Sequence, residues 1–327
     1  MRGLARAAAD ALDSALDRTV VPGFSVVGHA VRRRLPTWPD DPAPDALAGR
    51  HVAVTGASSG LGRRTALDLA ALGATVHLVV RDAGRGGRVA AEVDAAVGRE
   101  GAARVWVCDV SDLISVRAFC AVFLSTGMPL RALVHNAGAL PPARTTSAQG
   151  HESTMALHVL GPVLMTELLQ PSLRADAGRV VFVTSGGMYT QALPVLDPDF
   201  EQDTWSGAVA YARSKRAQVE LLPVLAQRWG TASGVSVHAT HPGWASTPGV
   251  VSSLPRFAAT MRPVLRSDSA GTDTTTWLVA TEPAPASGLL WHDRRVRPTS
   301  VLGRTRPTTE EREAVWQWVA GATGLAA

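Results

Sequence analysis

The chain has 327 residues, 46% hydrophobic but only 5% aromatic, enough for one large α/β domain with a core of Val, Leu and Ala. Its net charge of +4 comes from scattered arginines, and the one triplet, Arg32-Arg33-Arg34, has no aromatic interleaving, which argues against a nucleic-acid binder. Two cysteines, Cys108 and Cys120, are too few for a disulfide framework or a metal site, and no apolar run approaches the ~18 residues of a membrane span.

Residues 1–48 read as an N-terminal extension. Leu4, Ala8, Leu12 and Leu16 recur at helical spacing and predict a short amphipathic helix. Asp10, Asp13 and Asp17 break any apolar stretch there, so the segment is not a secretory signal, and a cytoplasmic protein is expected. Val20 to Val31, the arginine triplet and a proline-rich linker from Pro36 to Pro44 follow. Two readings stand: a helix packed on the main domain, or a peripheral membrane contact through Phe24, Trp38 and the arginines. The acidic residues weigh against the second.

From Gly49 the pattern changes to strands separated by helical stretches. The strands are expected at 51–55, 75–80, 104–108, 132–135, 179–184 and 235–239. Strand–helix alternation means a central parallel sheet flanked by helices, an α/β fold of the single doubly wound Rossmann type over 49–305. Residues 306–327 carry Thr308, Thr309, Glu310 and Glu311, a capping signal, then Val315, Trp316, Trp318 and Val319. They read as a final helix packed on the same domain.

The first strand runs into Thr55, Gly56, Ala57, Ser58, Ser59, Gly60, Leu61 and Gly62, then a helix. Glycines there allow a tight turn and a close backbone approach to a pyrophosphate, which the helix N-terminus attracts. The second strand ends in Val80, Arg81 and Asp82. Arg81 suits a 2′-phosphate and hence NADP(H) over NAD(H), and Arg63 could add a second contact. A plain solvated arginine is the other reading of Arg81.

Of 32 basic residues, Lys215 alone is a lysine, and it stands four after Tyr211, one of two tyrosines. On a helix the pair shares a face one turn apart. Arginine cannot supply a small ammonium that gives up its proton. A nearby ammonium favours phenolate, so Lys215 is expected to lower the Tyr211 pKa and make it a proton donor and acceptor.

Together these motifs resemble the short-chain dehydrogenase/reductase family over about 49–305. The glycine-rich stretch 55–62 is joined by Asp109-Val110, His135-Asn136-Ala137-Gly138, Val183-Thr184-Ser185, Tyr211 to Lys215, and His241 to Thr247. Ser185 to Tyr189, His241 to Gly249 and Leu289 to Pro298 further resemble the member-twelve branch, near the retinol-dehydrogenase-like reductases. The resemblance implies roles by position. Gly56, Gly60 and Gly62 would hold the pyrophosphate, with Thr55, Ser58, Ser59 and Leu61 in the same loop. Asp109 would bond the adenine amino group, with Val110 against the ring. Asn136, Ala137 and Gly138 would line the adenosine ribose, and Pro242, Gly243 and Thr247 would bracket the nicotinamide. Ser185 would bind the substrate carbonyl and Tyr211 would pass the proton. Lys215 would hold the nicotinamide ribose.

Two departures from the family stand out. His158 occupies the position of an asparagine that holds a relay water, and His135 replaces another asparagine. His158 is open to three readings: a working substitute, a weakened relay or a lost activity. His135, at a strand end, reads as structural.

The implied activity is hydride transfer between NADP(H) and a lipophilic ketone, aldehyde or secondary alcohol. The alternative is a non-catalytic NADP-binding sensor or scaffold. Ser185 and Tyr211 lie 26 apart, so 193–207 reads as a loop at the pocket mouth. Met188, Tyr189, Trp205, Trp244 and Phe257 are candidate apolar walls. The family likeness also implies a homo-oligomer.

Overall fold

A computed structural model describes residues 2–230, 234–246 and 255–326. Valine-rich runs make the sheet. Strands β1 (His51–Thr55), β2 (Thr75–Val80), β3 (Ala103–Val107), β4 (Ala132–His135), β5 (Arg179–Val183) and β6 (Ser236–Thr240) are parallel, with β7 (Leu289–His292) beside β6. A last strand, β8 (Arg295–Arg297), turns back antiparallel on β7. The order is β3-β2-β1-β4-β5-β6-β7-β8. Val52, Ala53 and Val54 are all fully buried, since helices cover both faces of the sheet. The fold is the α/β Rossmann type that the sequence predicts, and the strand bounds shift by one residue at β3, β5 and β6.

Two apolar layers sandwich the sheet. One gathers Phe119, Phe123, Leu160, Leu164, Leu222 and Trp316. The other gathers Val54, Leu69, Val76, Val93 and Leu278 under α4 (Gly60–Ala71), α5 (Ala83–Val97) and the Asp268–Ala280 helix. α6 (Leu113–Ser125) and the Thr309–Thr323 helix close the first layer. The C-terminal helix begins with a capping box: Thr308 Oγ1 accepts from Glu311 N at 3.2 Å, and Glu311 accepts from Thr308 N at 2.8 Å. Strand order reverses between β1 and β4, so the crevice at their carboxyl ends is where this fold takes ligands.

The N-terminal segment forms α1 (Arg2–Arg18), α2 (Val20–Phe24) and α3 (Val26–Arg32). The inward face of α1 is not the leucine stripe. Leu12 is 45% exposed, whereas Ala9 and Asp13, one turn apart, are buried. The reason is ionic. Asp13 accepts from Arg32 Nε at 2.8 Å and from Arg297 at 2.8 and 2.9 Å. Burial pushes the Asp13 carboxyl up, but Arg297 and Arg32 outweigh it and hold the group below its usual range. Two residues named for membrane contact are inside: Phe24 is buried, and so is Arg32. Trp38 is half-buried beneath the Arg294 guanidinium, 4.9 Å away. No described helix is long and apolar enough to cross a membrane.

The tail Leu289 to Pro298 is a hairpin that the sequence pattern does not predict. Asp293 and Arg294 make its two-residue turn with φ of 51° and 56°, the twist that suits a tight hairpin.

Several histidines are sealed in the fold. His77 accepts from Trp106 Nε1 at 2.8 Å and meets His51 at 3.0 Å. His135 bonds Thr166 Oγ1 at 2.7 Å, the structural setting expected for it. Burial pushes His77, His135 and His241 down to about 3 and His238 down to about 4. The unfolded chain protonates these rings near 6.5 while the native state does not, so protonation favours unfolding below that pH. Each such ring should remove about 1.4 kcal/mol of stability per pH unit as pH falls from 6.5 toward 4. Urea midpoints at pH 7 and pH 5 measure this, and equal midpoints would contradict the buried neutral rings.

Candidate functional site

The crevice begins with one hydroxyl. Thr55, the last residue of β1, accepts from the backbone N–H of Asn136 and of Ala137, both at 3.0 Å. Asn136 Nδ2 donates back to the Thr55 carbonyl at 3.1 Å. The turns after β1 and β4 are thereby locked together. Gly56 has φ +65°, and a Cβ on it would stand 2.7 Å from Ala137 Cα. A Cβ on Gly62 would meet Asn136 Nδ2 at 2.4 Å. Thr55 is fully buried, so it and the Asn136 amide build the cradle from behind rather than line it.

Ser58, Ser59, Gly60 and Leu61 are half-buried on the open side. Ser59 precedes α4 but its hydroxyl makes no cap bond, which leaves the first-turn N–H donors available to an anion. The glycines and these donors fit a dinucleotide pyrophosphate. Asp109 Oδ1 is taken by Ser111 N and Oγ at 2.9 and 2.6 Å. Val110 is 3% exposed and belongs to the core, because its carbonyl faces Gly161, where a Cβ would stand at 1.8 Å. Its expected contact with an adenine ring is thus confined to what the core leaves open. Ala137 is half-buried and Gly138 is exposed at the crevice.

The three groups at the adenosine end differ from one another. Arg63 is turned onto α5, where Glu92 takes its Nε at 2.7 Å, so the predicted second phosphate contact is engaged elsewhere. Asp82 caps α5, accepting from Arg85 N at 2.9 Å. Arg81 is exposed and has no hydrogen-bond partner among the described residues.

At the other end stand Ser185, Tyr211, Lys215 and His158. Ser185 follows β5, opens a short 3-10 turn (Gly186–Thr190) and accepts from Gly187 N at 3.4 Å. Tyr211 and Lys215 ride the Gly207–Glu220 helix, and the Tyr211 side chain hydrogen-bonds Ser185. Lys215 Nζ donates to the Val183 carbonyl at 2.9 Å, 5.7 Å from the Tyr211 ring centre. The expected lowering of the tyrosine pKa is absent here. Burial pushes the Tyr211 phenol up, and the Ser185 hydrogen bond offsets part of that. Lys215 is itself desolvated, and burial brings it down to about 7. A lysine that loses its charge near neutrality and faces a carbonyl has little left with which to stabilise phenolate.

His158 sits in a π turn, Ala156–Leu160, within the helix that continues as Gly161–Leu168. Its Nε2 accepts from Ala139 N at 3.2 Å, so Nδ1 carries the proton and donates to Ser214 Oγ at 2.7 Å. Ser214 Oγ donates to the Tyr211 carbonyl at 2.8 Å. Burial, with Lys215 nearby, keeps the ring neutral. Gln218 Nε2 donates to the His158 carbonyl at 2.6 Å. Both ring nitrogens and the carbonyl are thus committed, which fits a brace between the β4 turn and the Tyr211 helix better than a relay.

The loop after β6 holds His241, Pro242 and Gly243; Thr247 lies outside the described residues, as does the Phe257 side chain. Gly243 N donates to His241 Nδ1 at 2.8 Å. Among the candidate walls, Met188 is fully buried in the core, while Tyr189, Trp205 and Trp244 are half-buried. The expected 193–207 loop runs to 206, where the Gly207–Glu220 helix takes over, and is pinned by Asp199 to His151 at 3.0 Å and by Phe200 under the Arg213 guanidinium. Sequence reasoning missed Arg266, which lies against Gly243, and did not place Phe24, which stacks on His241 at 4.5 Å, at the site. No motif marks Arg266; Phe24 showed only as one of two aromatics in the extension, with Trp38.

Comparisons with known proteins place the chain in a family. A family model described as short chain dehydrogenase matches residues 50–255. Dehydrogenase/reductase SDR family member 12 of Bos taurus is 37% identical over 272 residues, 82% of this chain and 84% of the relative. Retinol dehydrogenase 11 of Mus musculus is 35% identical over 219 residues, 66% of this chain and 66% of the relative. The crystal structure of an uncharacterized protein from Mycobacterium Paratuberculosis is similar with a TM-score of 0.68 and 25% identity, covering 87% of this chain and 98% of that one. The chain belongs to the short-chain dehydrogenase/reductase family, in its retinol-dehydrogenase-like branch, and is an oxidoreductase of CH–OH or carbonyl groups with an NAD(P)-binding Rossmann fold.

Proposed function

We propose that this protein transfers hydride between NADP(H) and a lipophilic ketone, aldehyde or secondary alcohol, with Tyr211 as proton donor and acceptor. The observation that carries the reading is the meeting of Tyr211 with Ser185 beside the only lysine of the chain. When bound, the dinucleotide supplies the hydride. The α4 N-terminus with Gly56, Gly60 and Gly62 holds its pyrophosphate, and Asp109 with Gly138 borders the adenosine.

Arg81 supports NADP(H) over NAD(H). It is exposed with no hydrogen-bond partner among the described residues, while Asp82, the acid that would favour a free ribose, is occupied as a helix cap. In the reduction direction Ser185 O–H stabilises the carbonyl oxygen and Tyr211 O–H gives it a proton. A phenol pushed up by burial is protonated at neutral pH, the state this step needs. Lys215, brought down to about 7, can take either proton state as the site fills and empties. The half-buried Tyr189, Trp205 and Trp244 support a lipophilic substrate, as does the likeness to retinol dehydrogenase 11.

Peripheral contact with a membrane belongs to the same reading, but through other residues than Phe24. Val20, Val21 and Val27 are at least half exposed, and Arg33 and Arg34 are exposed in the same segment.

Two substitutions test the site. Tyr211→Phe should lower turnover of a lipophilic aldehyde by ~10²-fold or more while NADPH binding persists. A mutant that keeps most of its turnover would remove Tyr211 from the chemistry. Arg81→Ala should weaken NADPH far more than NADH in a fluorescence titration, by ~10-fold if one charge-assisted contact is lost. Equal weakening of the two cofactors would refute the 2′-phosphate role.

A further inference from the structure

Residues 13–32 lie outside every family motif, yet they support the loop that the proposed function puts beside the nicotinamide. Three tethers converge there. Trp244 N donates to the Phe24 carbonyl at 2.8 Å. Arg266 Nε donates to the Phe24 and Ser25 carbonyls at 2.9 and 3.1 Å. The same guanidinium lies against Gly243, where a Cβ would stand 2.3 Å from Arg266 Nε. The Phe24 ring stacks on His241 at 4.5 Å and 28°.

Behind these contacts is a buried ionic frame. Asp293 accepts from Arg266 at 2.6 and 2.9 Å and from Arg32 at 2.7 Å. Arg32 also binds Asp13 at 2.8 Å and the Gly23 carbonyl at 2.7 Å. Apolar cover alone would need none of these polar bonds, which run from Trp244 N, Arg266 and Arg32 to the carbonyls of Gly23, Phe24 and Ser25 and to the Asp13 and Asp293 carboxylates. Truncating one partner leaves a buried charge without its mate, so the frame is costly to break.

We propose that the N-terminal segment is a built part of the cofactor site, with Phe24 as the positioning residue that seats the Pro242–Gly243 loop against the nicotinamide. The inference rests on the dinucleotide reading above. It makes a split prediction between the two halves of the cofactor, because the adenosine half belongs to the turns after β1, β2, β3 and β4, whereas the Phe24 ring packs on Tyr189, His241, Trp244 and His292.

The test is a titration of wild type, Phe24→Ala and Phe24→Leu with NADPH and with 2′-phospho-ADP-ribose, which lacks only the nicotinamide. NADH and ADP-ribose form the matching pair if the 2′-phosphate is not recognised. Phe24→Ala should bind NADPH ~10-fold or more weakly and the truncated ligand within ~2-fold of wild type. Phe24→Leu, which retains bulk, should recover part of the loss and serves the comparison if the alanine variant does not fold. Equal weakening of both ligands, or no weakening of either, overturns the positioning role. A wild type that binds neither ligand refutes the dinucleotide reading itself and this inference with it.

Discussion

The site depends on two backbone turns being held within contact distance. Thr55 Oγ1 takes the N–H groups of Asn136 and Ala137, and that single acceptor fixes the turn after β1 against the turn after β4. At such a separation only glycine fits at 56, and the first turn of α4 is left with free donors toward the crevice. The Gly207–Glu220 helix is then placed by the Thr184 hydroxyl, which donates to the Lys215 carbonyl at 3.2 Å. A cradle for an anion and a tyrosine for a proton thus occur at the same end of one sheet because neighbouring parallel strands end there.

The distribution of basic residues follows from what each can do when buried. Arg266 is 1% exposed and spreads its donors over three carbonyls and both Asp293 oxygens. Arg179 and Arg216 are likewise buried and bonded to several acceptors each. A guanidinium keeps its charge in such places and needs that many partners. Lys215 bonds one carbonyl, and burial brings its pKa to about 7. Only an ammonium can respond to that environment by releasing a proton, which gives a physical reason for the one lysine to stand where it does.

Spacing made the sheet, the glycine turn and the Tyr211–Lys215 pair legible, because each is a local pattern with a fixed period or a fixed residue need. Features set by distant partners were not legible. The inward face of α1 is chosen by Arg32 and Arg297 rather than by its leucines. The β7–β8 turn uses Asp293 and Arg294 in place of the asparagine and glycine that would announce it, since Asp293 serves as an acceptor for two buried arginines. Arg63 follows the glycine turn as a phosphate ligand would, but Glu92 on the next helix claims it.

His158 shows why a residue type alone does not give a role. A histidine in place of an amide suggests a titrating relay, yet a relay needs a nitrogen free to exchange its proton. Here the Ala139 N–H fixes one nitrogen as acceptor and Ser214 fixes the other as donor, so only one tautomer fits. Burial and the neighbouring Lys215 keep that tautomer neutral. The ring also stands edge-on to Tyr211, with centres 5.3 Å apart. His158 therefore ties the β4 turn, which borders the cradle, to the helix that carries Tyr211. Through this ring the distance between the cradle and the phenol is set by two hydrogen bonds rather than by packing alone.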